Sequence, residues 1–187
     1  MSSAFDSTRE FIAPDLSRTD RGHSPRELLE KAFDALHVPV FHYLMSLTGN
    51  IAESEDLTQE VFLRLHAEFA GGRRIENLKA WCFKVAHNLA ASAGRRKQTE
   101  EHYAAASVLR DRSDSPNEIE SAMLERERSR RVAAAVDKLS SMERQCLYLR
   151  TEGLLYREIA HVLEIRVPTV QTFLARAMKK VAKELHD

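Results

Sequence analysis

The sequence contains few residues that break helices or cross-link a chain: its 187 residues include 5 prolines, 6 glycines and 2 cysteines. Cys82 and Cys146 lie far apart, without CxxC spacing or a His/Cys cluster, so neither a disulfide nor a metal site is predicted. We expect two small buried side chains in a reducing compartment. No apolar run approaches the roughly 20 residues of a membrane span, and the N-terminus lacks the apolar segment of a secretory signal. These absences predict a soluble, cytoplasmic protein with no membrane insertion.

A net charge and a catalytic constellation are missing as well. The 28 basic residues balance the 28 acidic ones, so any affinity for nucleic acid must come from local patches. The 8 histidines show no HExxH or triad-like setting, and no glycine-rich phosphate loop occurs. The sequence therefore predicts no enzyme, no catalytic residue, no metal and no cofactor.

What the sequence does contain is apolar residues at helical spacing throughout. Ser24-Pro25-Arg26-Glu27 is a capping-box start signal, and Ser115-Pro116-Asn117-Glu118 repeats it. No segment alternates like a strand, so we predict an all-α protein of two small helical domains joined by a flexible linker. The expected divisions are a disordered arm over 1–23, a first domain over 24–97, a linker over 98–115 and a second domain over 116–187.

The first domain is predicted to hold three helices. Pro39 should bend or restart the first one, and Gly49 suits a left-handed position at its end. Asn77 can cap the third helix, which should run to about Lys97. The second helix buries Leu57, Val61, Leu65 and Phe69, and the third buries Leu78, Trp81, Val85 and Leu89.

The second domain has the pattern of a helix-turn-helix, with helices at about 156–163 and 168–185. A plain helical hairpin would give the same pattern. Glu164 stands where such turns usually hold a left-handed glycine, which would cost about 1 kcal/mol. Its apolar positions are Ile159, Ala160, Leu163, Ile165, Val170 and Leu174.

Three surfaces could bind partners. The second helix carries acids, an amide and a leucine on one face, and the third carries a local basic surplus that suits a strand with accessible bases. Either face could also be merely solvated. On the last helix, the side opposite the buried stripe carries side chains that can bind phosphates or contact base edges. Phe173 is expected to be exposed beside them, where it could contact a thymine methyl group or a protein.

The strings DLTQEVFLRL, AWCFKVAHNLA and LSSMERQCLYLRTEGLLYREIAHVLEIRVPTVQTFLARAMKKV resemble the extracytoplasmic-function (ECF) group of bacterial sigma factors. The resemblance covers about residues 28–97 and 120–185, in the family's order. It implies a transcription initiation factor of two helical domains that catalyses nothing itself. Its partners would be core RNA polymerase (the β′ clamp helices and the β subunit), promoter DNA and an anti-sigma factor.

The resemblance also implies site residues and a linker that threads toward the polymerase active-site channel. Docking on core polymerase falls to Asp56, Gln59, Glu60 and Leu63. Capture of the −10 element falls to Arg73, Arg74, Asn77, Lys84, His87, Asn88, Arg95 and Arg96. Recognition of the −35 element falls to Thr169, Gln171, Thr172, Phe173, Arg176, Lys179 and Lys180.

The −35 reader departs from the family's usual residues at Glu164, Gln171 and Phe173. These departures leave the strength and the sequence of −35 binding open. The alternative is a sigma-like DNA-binding regulator or adaptor without full promoter recognition.

Overall fold

A computed structural model describes residues 24–100 and 135–186. The predicted arm, most of the predicted linker and most of the helix expected after Ser115 lie outside these residues. All regular structure within the two ranges is helical, which confirms the all-α prediction. The helices are α1 (Pro25–Thr48), α2 (Ile51–Ala70), α3 (Leu78–Glu100), α4 (Ser141–Thr151), α5 (Tyr156–Leu163) and α6 (Val167–His186), with a helical turn at 135–137.

The predicted boundaries of α1 have the expected physical causes. The backbone N–H of Glu27 donates to Ser24 Oγ at 3.2 Å, and the Ser24 N–H donates to Glu27 Oε2 at 2.8 Å, so the capping box is complete. Gly49 ends the helix with a φ of 67°, as predicted. Of the two outcomes expected at Pro39, a restart is wrong, because α1 runs through this residue without interruption.

The N-terminal lobe, α1 to α3, buries α2 as predicted: Val61, Leu65 and Phe69 are buried and Leu57 is half-buried. The prediction for α3 needs two corrections. Its most buried side chains are Cys82, Phe83 and Ala86, whereas Trp81, Val85 and Leu89 are half-buried. The helix also continues past Lys97 to Glu100, into the predicted linker. The buried side is broader than one stripe because α3 packs against α1, α2 and α5 at once.

The C-terminal lobe, residues 135–186, has the predicted helix-turn-helix. Ser140 starts α4 with a second capping box, and the apolar stripe of α5 and α6 is buried, with Ile165 half-buried in the turn. Glu164 closes α5 in the left-handed region, at φ 56° and ψ 37°. The turn therefore has the left-handed backbone conformation that usually requires glycine, although Glu164 carries a Cβ.

The two lobes pack against each other and share a hydrophobic core. Tyr148 of α4 is central to the contact: its hydroxyl donates to the carbonyl of Pro39 in α1 at 2.8 Å. Its ring lies 5.6 Å from that of Tyr43 and 6.3 Å from that of Phe83. Among the described helices, none is both long and apolar enough to cross a bilayer.

Candidate protein and nucleic-acid interfaces

The predicted docking face of α2 is open to solvent. Asp56 and Gln59 are exposed, and Leu63 leaves 64% of its surface uncovered. Glu60 is half-buried, and its Oε1 forms an ion pair with Nε of Arg64, one helical turn later, at 2.7 Å. The spacing of three and four residues brings the four side chains to one face, as the sequence predicts.

A groove between α1 and α2 is a surface that the sequence did not reveal. Phe33 is 44% exposed, and its ring meets that of Phe62 edge-on at 4.9 Å. Leu29 and two acids, Glu30 and Asp34, complete the lining. In the sequence, Phe33 recurs at helical spacing with Leu29 and Leu36, a pattern typical of a buried stripe, so no signal marked it as a surface residue.

The residues predicted for −10 capture are divided by the structure, and three of them are engaged within the molecule. Asn77 caps α3 through Oδ1, which accepts from the Ala80 N–H at 2.9 Å, while its Nδ2 donates to Glu158 Oε1 at 2.8 Å. Lys84 Nζ donates to Glu164 Oε1 at 2.6 Å. Both side chains are thereby held by acids of α5 and its following turn.

His87 is the third covered residue, with Nδ1 3.1 Å from the hydroxyl of Tyr43. Burial lowers the pKa of His87, and the nearby Lys84 ammonium lowers it further, while Glu164 opposes them. Burial also raises the pKa of Tyr43, so its hydroxyl stays protonated and can donate to a neutral imidazole. The hydrogen bond from Lys84 lowers the pKa of Glu164 and keeps that pair charged.

The remaining −10 residues with described side chains face solvent. Arg73 and Arg74 are exposed on the loop before α3, and Arg73 pairs with Glu68 at 3.1 Å. Asn88 and Arg95 are exposed further along α3. The side chain of Arg96 lies outside the described part of the chain. The predicted −10 surface is therefore one covered patch with two open flanks.

Lys79 is an interface residue that the sequence analysis missed. Its Nζ donates to the carbonyl of Glu152, just past the end of α4, at 2.7 Å. Lys84 repeats the arrangement at α5, where its Nζ lies 3.4 Å from the carbonyl of Val162. Each ammonium thus meets the carbonyl-rich, negative end of a helix, where cations are stabilising. The basic surplus of this region was the available signal, but it pointed to nucleic acid instead.

The outward side of α6 is partly engaged within its own lobe. Gln171, Arg176 and Lys179 are exposed and Thr169 is half-buried. The Thr172 hydroxyl donates back to the carbonyl of Pro168 at 2.9 Å. These residues keep the predicted reading face, although Thr172 has an internal partner.

Lys180 is also held internally, by Glu143 at 2.7 Å. Glu143 is a buried acid, 4% exposed, and the hydrogen bond from Lys180 lowers its pKa most. Ser140 adds to that shift through its backbone N–H. The Lys180 ammonium therefore balances the charge of the Glu143 carboxylate, and a DNA phosphate would have to compete with this carboxylate.

The expectation that Phe173 is exposed is wrong. Its ring is half-buried and packs against the hydrophobic core. Phe173 lies three residues after Val170 and four before Ala177, both of which are fully buried. It therefore flanks the buried stripe instead of opposing it.

Comparison with known proteins identifies the family. The profile for Sigma-70 region 2 matches residues 32–100, and that for Sigma-70, region 4 matches residues 129–181. The ECF RNA polymerase sigma factor EcfG of Rhodopseudomonas palustris is 32% identical over 145 residues, which is 77% of each chain. This chain belongs to the ECF sigma factors. It is accordingly a transcription initiation factor that directs RNA polymerase to promoters, in a family of non-catalytic proteins.

Other known proteins extend the match. The RNA polymerase sigma-H factor of Pseudomonas aeruginosa is 28% identical over 168 residues, which cover 83% of this chain and 87% of the relative. Among solved structures, the sigma factor RpoE bound to the anti-sigma factor NepR from Bartonella quintana has a TM-score of 0.65 at 20% identity, over 84% of this chain and 96% of that one. CnrH in complex with the cytosolic domain of CnrY has a TM-score of 0.53 at 18% identity, over 94% and 95% of the chains. These structures share the fold.

Proposed function

We propose that this ECF sigma factor docks on the β′ clamp helices of core polymerase through the face formed by Asp56, Gln59, Glu60 and Leu63. The supporting observation is that an exposed leucine stands beside exposed acid and amide groups on one side of α2. Basic residues of a partner helix can pair with Asp56, and Leu63 offers apolar area at the centre of such a contact. The β subunit is the second proposed partner within core polymerase.

Promoter recognition is divided between the lobes in this proposal. Residues 24–97 capture the −10 element through the loop at Arg73 and Arg74 and through the α3 face that includes Lys84, Asn88 and Arg95. Residues 116–187 read the −35 element through the exposed side of α6. Gln171 can contact base edges, and Arg176 and Lys179 can neutralise phosphates. Phe173 and Lys180 contribute less to DNA, because both have partners within the lobe.

An anti-sigma factor is the third proposed partner. The sigma factor RpoE from Bartonella quintana, which shares this fold, is bound to the anti-sigma factor NepR in its solved structure. CnrH, which also shares the fold, is bound to the cytosolic domain of CnrY. A sigma factor that meets core polymerase and DNA works in the cytoplasm, which we propose as the compartment. The predicted linker over 98–115 would join the two promoter contacts on polymerase.

Run-off transcription tests the proposed function directly. The purified chain and core polymerase are incubated with fragmented genomic DNA, and the transcripts are sequenced. We expect start sites that share a −10 and a −35 sequence and depend on the added chain. Transcripts without shared elements, together with normal binding to core polymerase, would instead favour an adaptor or a DNA-binding regulator.

A further inference from the structure

Glu164 adopts a conformation that a glycine would adopt without strain. Among the described residues, it is the one non-glycine residue with a positive φ, 56°. Its side chain is 70% exposed, so local burial does not hold it there. Its carboxylate, however, reaches across the lobe boundary to Lys84 Nζ of α3 at 2.6 Å. The strained residue thus supplies a contact that a glycine could not make.

The contact with Lys84 is one of several that close the same boundary. Lys79 binds the end of α4, Asn77 binds Glu158, and Tyr148 binds Pro39. The Lys84 side chain is only 17% exposed and that of Lys79 only 24%. Lysine side chains normally extend into solvent, so this degree of cover shows that the lobes meet closely over α3.

The closed arrangement affects the two proposed working faces of the N-terminal lobe differently. Asn77, Lys84 and His87 are engaged or covered. Asp56, Gln59 and Leu63 of α2 remain exposed. The closed chain can therefore present its polymerase-docking face while its central −10 face is covered.

We propose that Glu164 is a latch that holds the C-terminal lobe on α3 and prevents the free protein from binding −10 DNA until the lobes separate on polymerase. The inhibitory half of this proposal rests on the −10 role proposed above, whereas the latch itself does not. Opening would release Lys84 and Asn77 for DNA at the time when core polymerase is already bound.

Glu164→Gly is the discriminating substitution, because it removes the carboxylate and relieves the backbone strain together. A purely local role for Glu164 predicts a C-terminal lobe that is equally or more stable, with unchanged lobe contacts. The latch predicts the same lobe stability but a several-fold larger fraction of chains with separated lobes. Asp34→Ala is the matched control, since Asp34 is an exposed acid of α1 that belongs to no proposed DNA face, and its loss changes the net charge equally.

Lobe separation can be measured with spin labels on the full-length chain. Ala67 on α2 and Ala175 on α6 are exposed and can be replaced by cysteine for labelling. The native thiols will react slowly, because burial raises the pKa of Cys82 to about 12 and that of Cys146 to about 11. We expect one short, narrow distance distribution for the wild type and for Asp34→Ala, and an additional longer component for Glu164→Gly.

Amine acylation read by mass spectrometry gives an independent measure. The Glu164→Gly substitution does not alter Glu152, the ion-pair partner of Lys79 in the C-terminal lobe. A faster reaction at Lys79 therefore reports separation of the lobes and not the removal of its direct partner. We expect Lys79 to react several-fold faster in this variant and at the wild-type rate in the control. Exposed Lys179 serves as the internal standard.

A random-sequence single-stranded oligonucleotide, without polymerase, tests the inhibition. We expect Glu164→Gly to bind it several-fold more tightly than either the wild type or Asp34→Ala. An unchanged distance distribution and an unchanged Lys79 rate would overturn the latch, as would a wild type whose lobes are already apart. Separation without a gain in binding would overturn the inhibition and point to the −10 assignment as the failure.

Discussion

The docking face of α2 and the central face of α3 belong to the same lobe and were predicted by the same reasoning, yet they have opposite surroundings. Asp56, Gln59 and Leu63 are exposed to solvent. Lys84 instead binds Glu164 in the turn after α5, and His87 is half-buried beside Tyr43 of α1. Helical spacing correctly grouped the residues of each face. It could not show which face the other lobe would cover, because that depends on contacts between residues about 80 positions apart, such as Lys84 with Glu164.

This difference shows that a basic surplus has more than one physical use. Lys79 and Lys84 meet carbonyls at the ends of α4 and α5, which carry the same partial negative charge that attracts cations elsewhere. The same ammonium groups can therefore bind helix-end carbonyls within the protein and, when these contacts are broken, bind a phosphate backbone instead.

The largest expected effect concerns the exposed docking face of α2 and its affinity for core polymerase. The double substitution Asp56→Ala and Gln59→Ala should weaken binding to core polymerase by on the order of tenfold or more, since interface contacts of this kind can each contribute about 1 kcal/mol or more. Helical content should not change, because both side chains are exposed. Titration of labelled core polymerase measures the affinity and circular dichroism checks the fold. Wild-type affinity would remove the docking assignment.

The comparison can be repeated with two neighbouring lysines of α6, one open and one engaged. Lys180→Ala should lower the free energy of unfolding by about 1 kcal/mol, because Glu143 loses its cation and Lys180 is only partly shielded from solvent. Lys179→Ala should leave stability unchanged and lower the salt slope of promoter binding by about one. Urea unfolding and binding titrations over a range of salt separate the two. Equal stability of both variants would show that the Glu143 pair contributes nothing.

A smaller effect is expected from the uncharged part of the covered boundary. Tyr148→Phe removes the hydroxyl that donates to Pro39 but keeps the ring against Tyr43 and Phe83. The free energy of unfolding should fall by about 0.5–1.5 kcal/mol, the net value of one such hydrogen bond. Tyr156→Phe is the control, since Tyr156 is 40% exposed. A loss of similar size in both variants would mean that the cross-lobe bond is not the cause.

The smallest effect concerns pH at the covered face. The pKa of His87 is lowered in the folded chain, so the unfolded chain binds a proton first as the pH falls below the ordinary value of 6.5. Stability should be complete above that pH and decline below it. The groups facing the ring are Tyr43 from α1, Lys84 from α3 and Glu164 from the turn after α5.

The measurement is the free energy of unfolding at pH 7.5 and at pH 5.5, with His87→Gln as the reference. Glutamine can still accept from the Tyr43 hydroxyl but does not titrate. We expect the wild type to lose more stability than the variant over this range. Equal losses would assign the pH dependence to other groups.

Local structure and family membership could both be predicted from the order of the residues alone. Ser24 and Ser140 start helices because their side chains accept from the backbone three residues later, and Gly49 and Glu164 end them in the left-handed region. These interactions involve residues a few positions apart, so spacing is enough to find them. The strings of α2, α3 and α6 likewise carried the resemblance that the family profiles confirm.

Which of these surfaces reach solvent depended on how the helices pack in three dimensions. It moved Phe173 onto the core and Lys180 onto Glu143, and it joined Glu164 to Lys84 across the lobe boundary. A helical pattern assigns each residue an angle around its own axis but says nothing about the element packed at that angle. Whether an exposed ammonium meets water, DNA or another helix end is therefore set by long-range packing, where the desolvation of each charge is balanced by a partner distant in sequence.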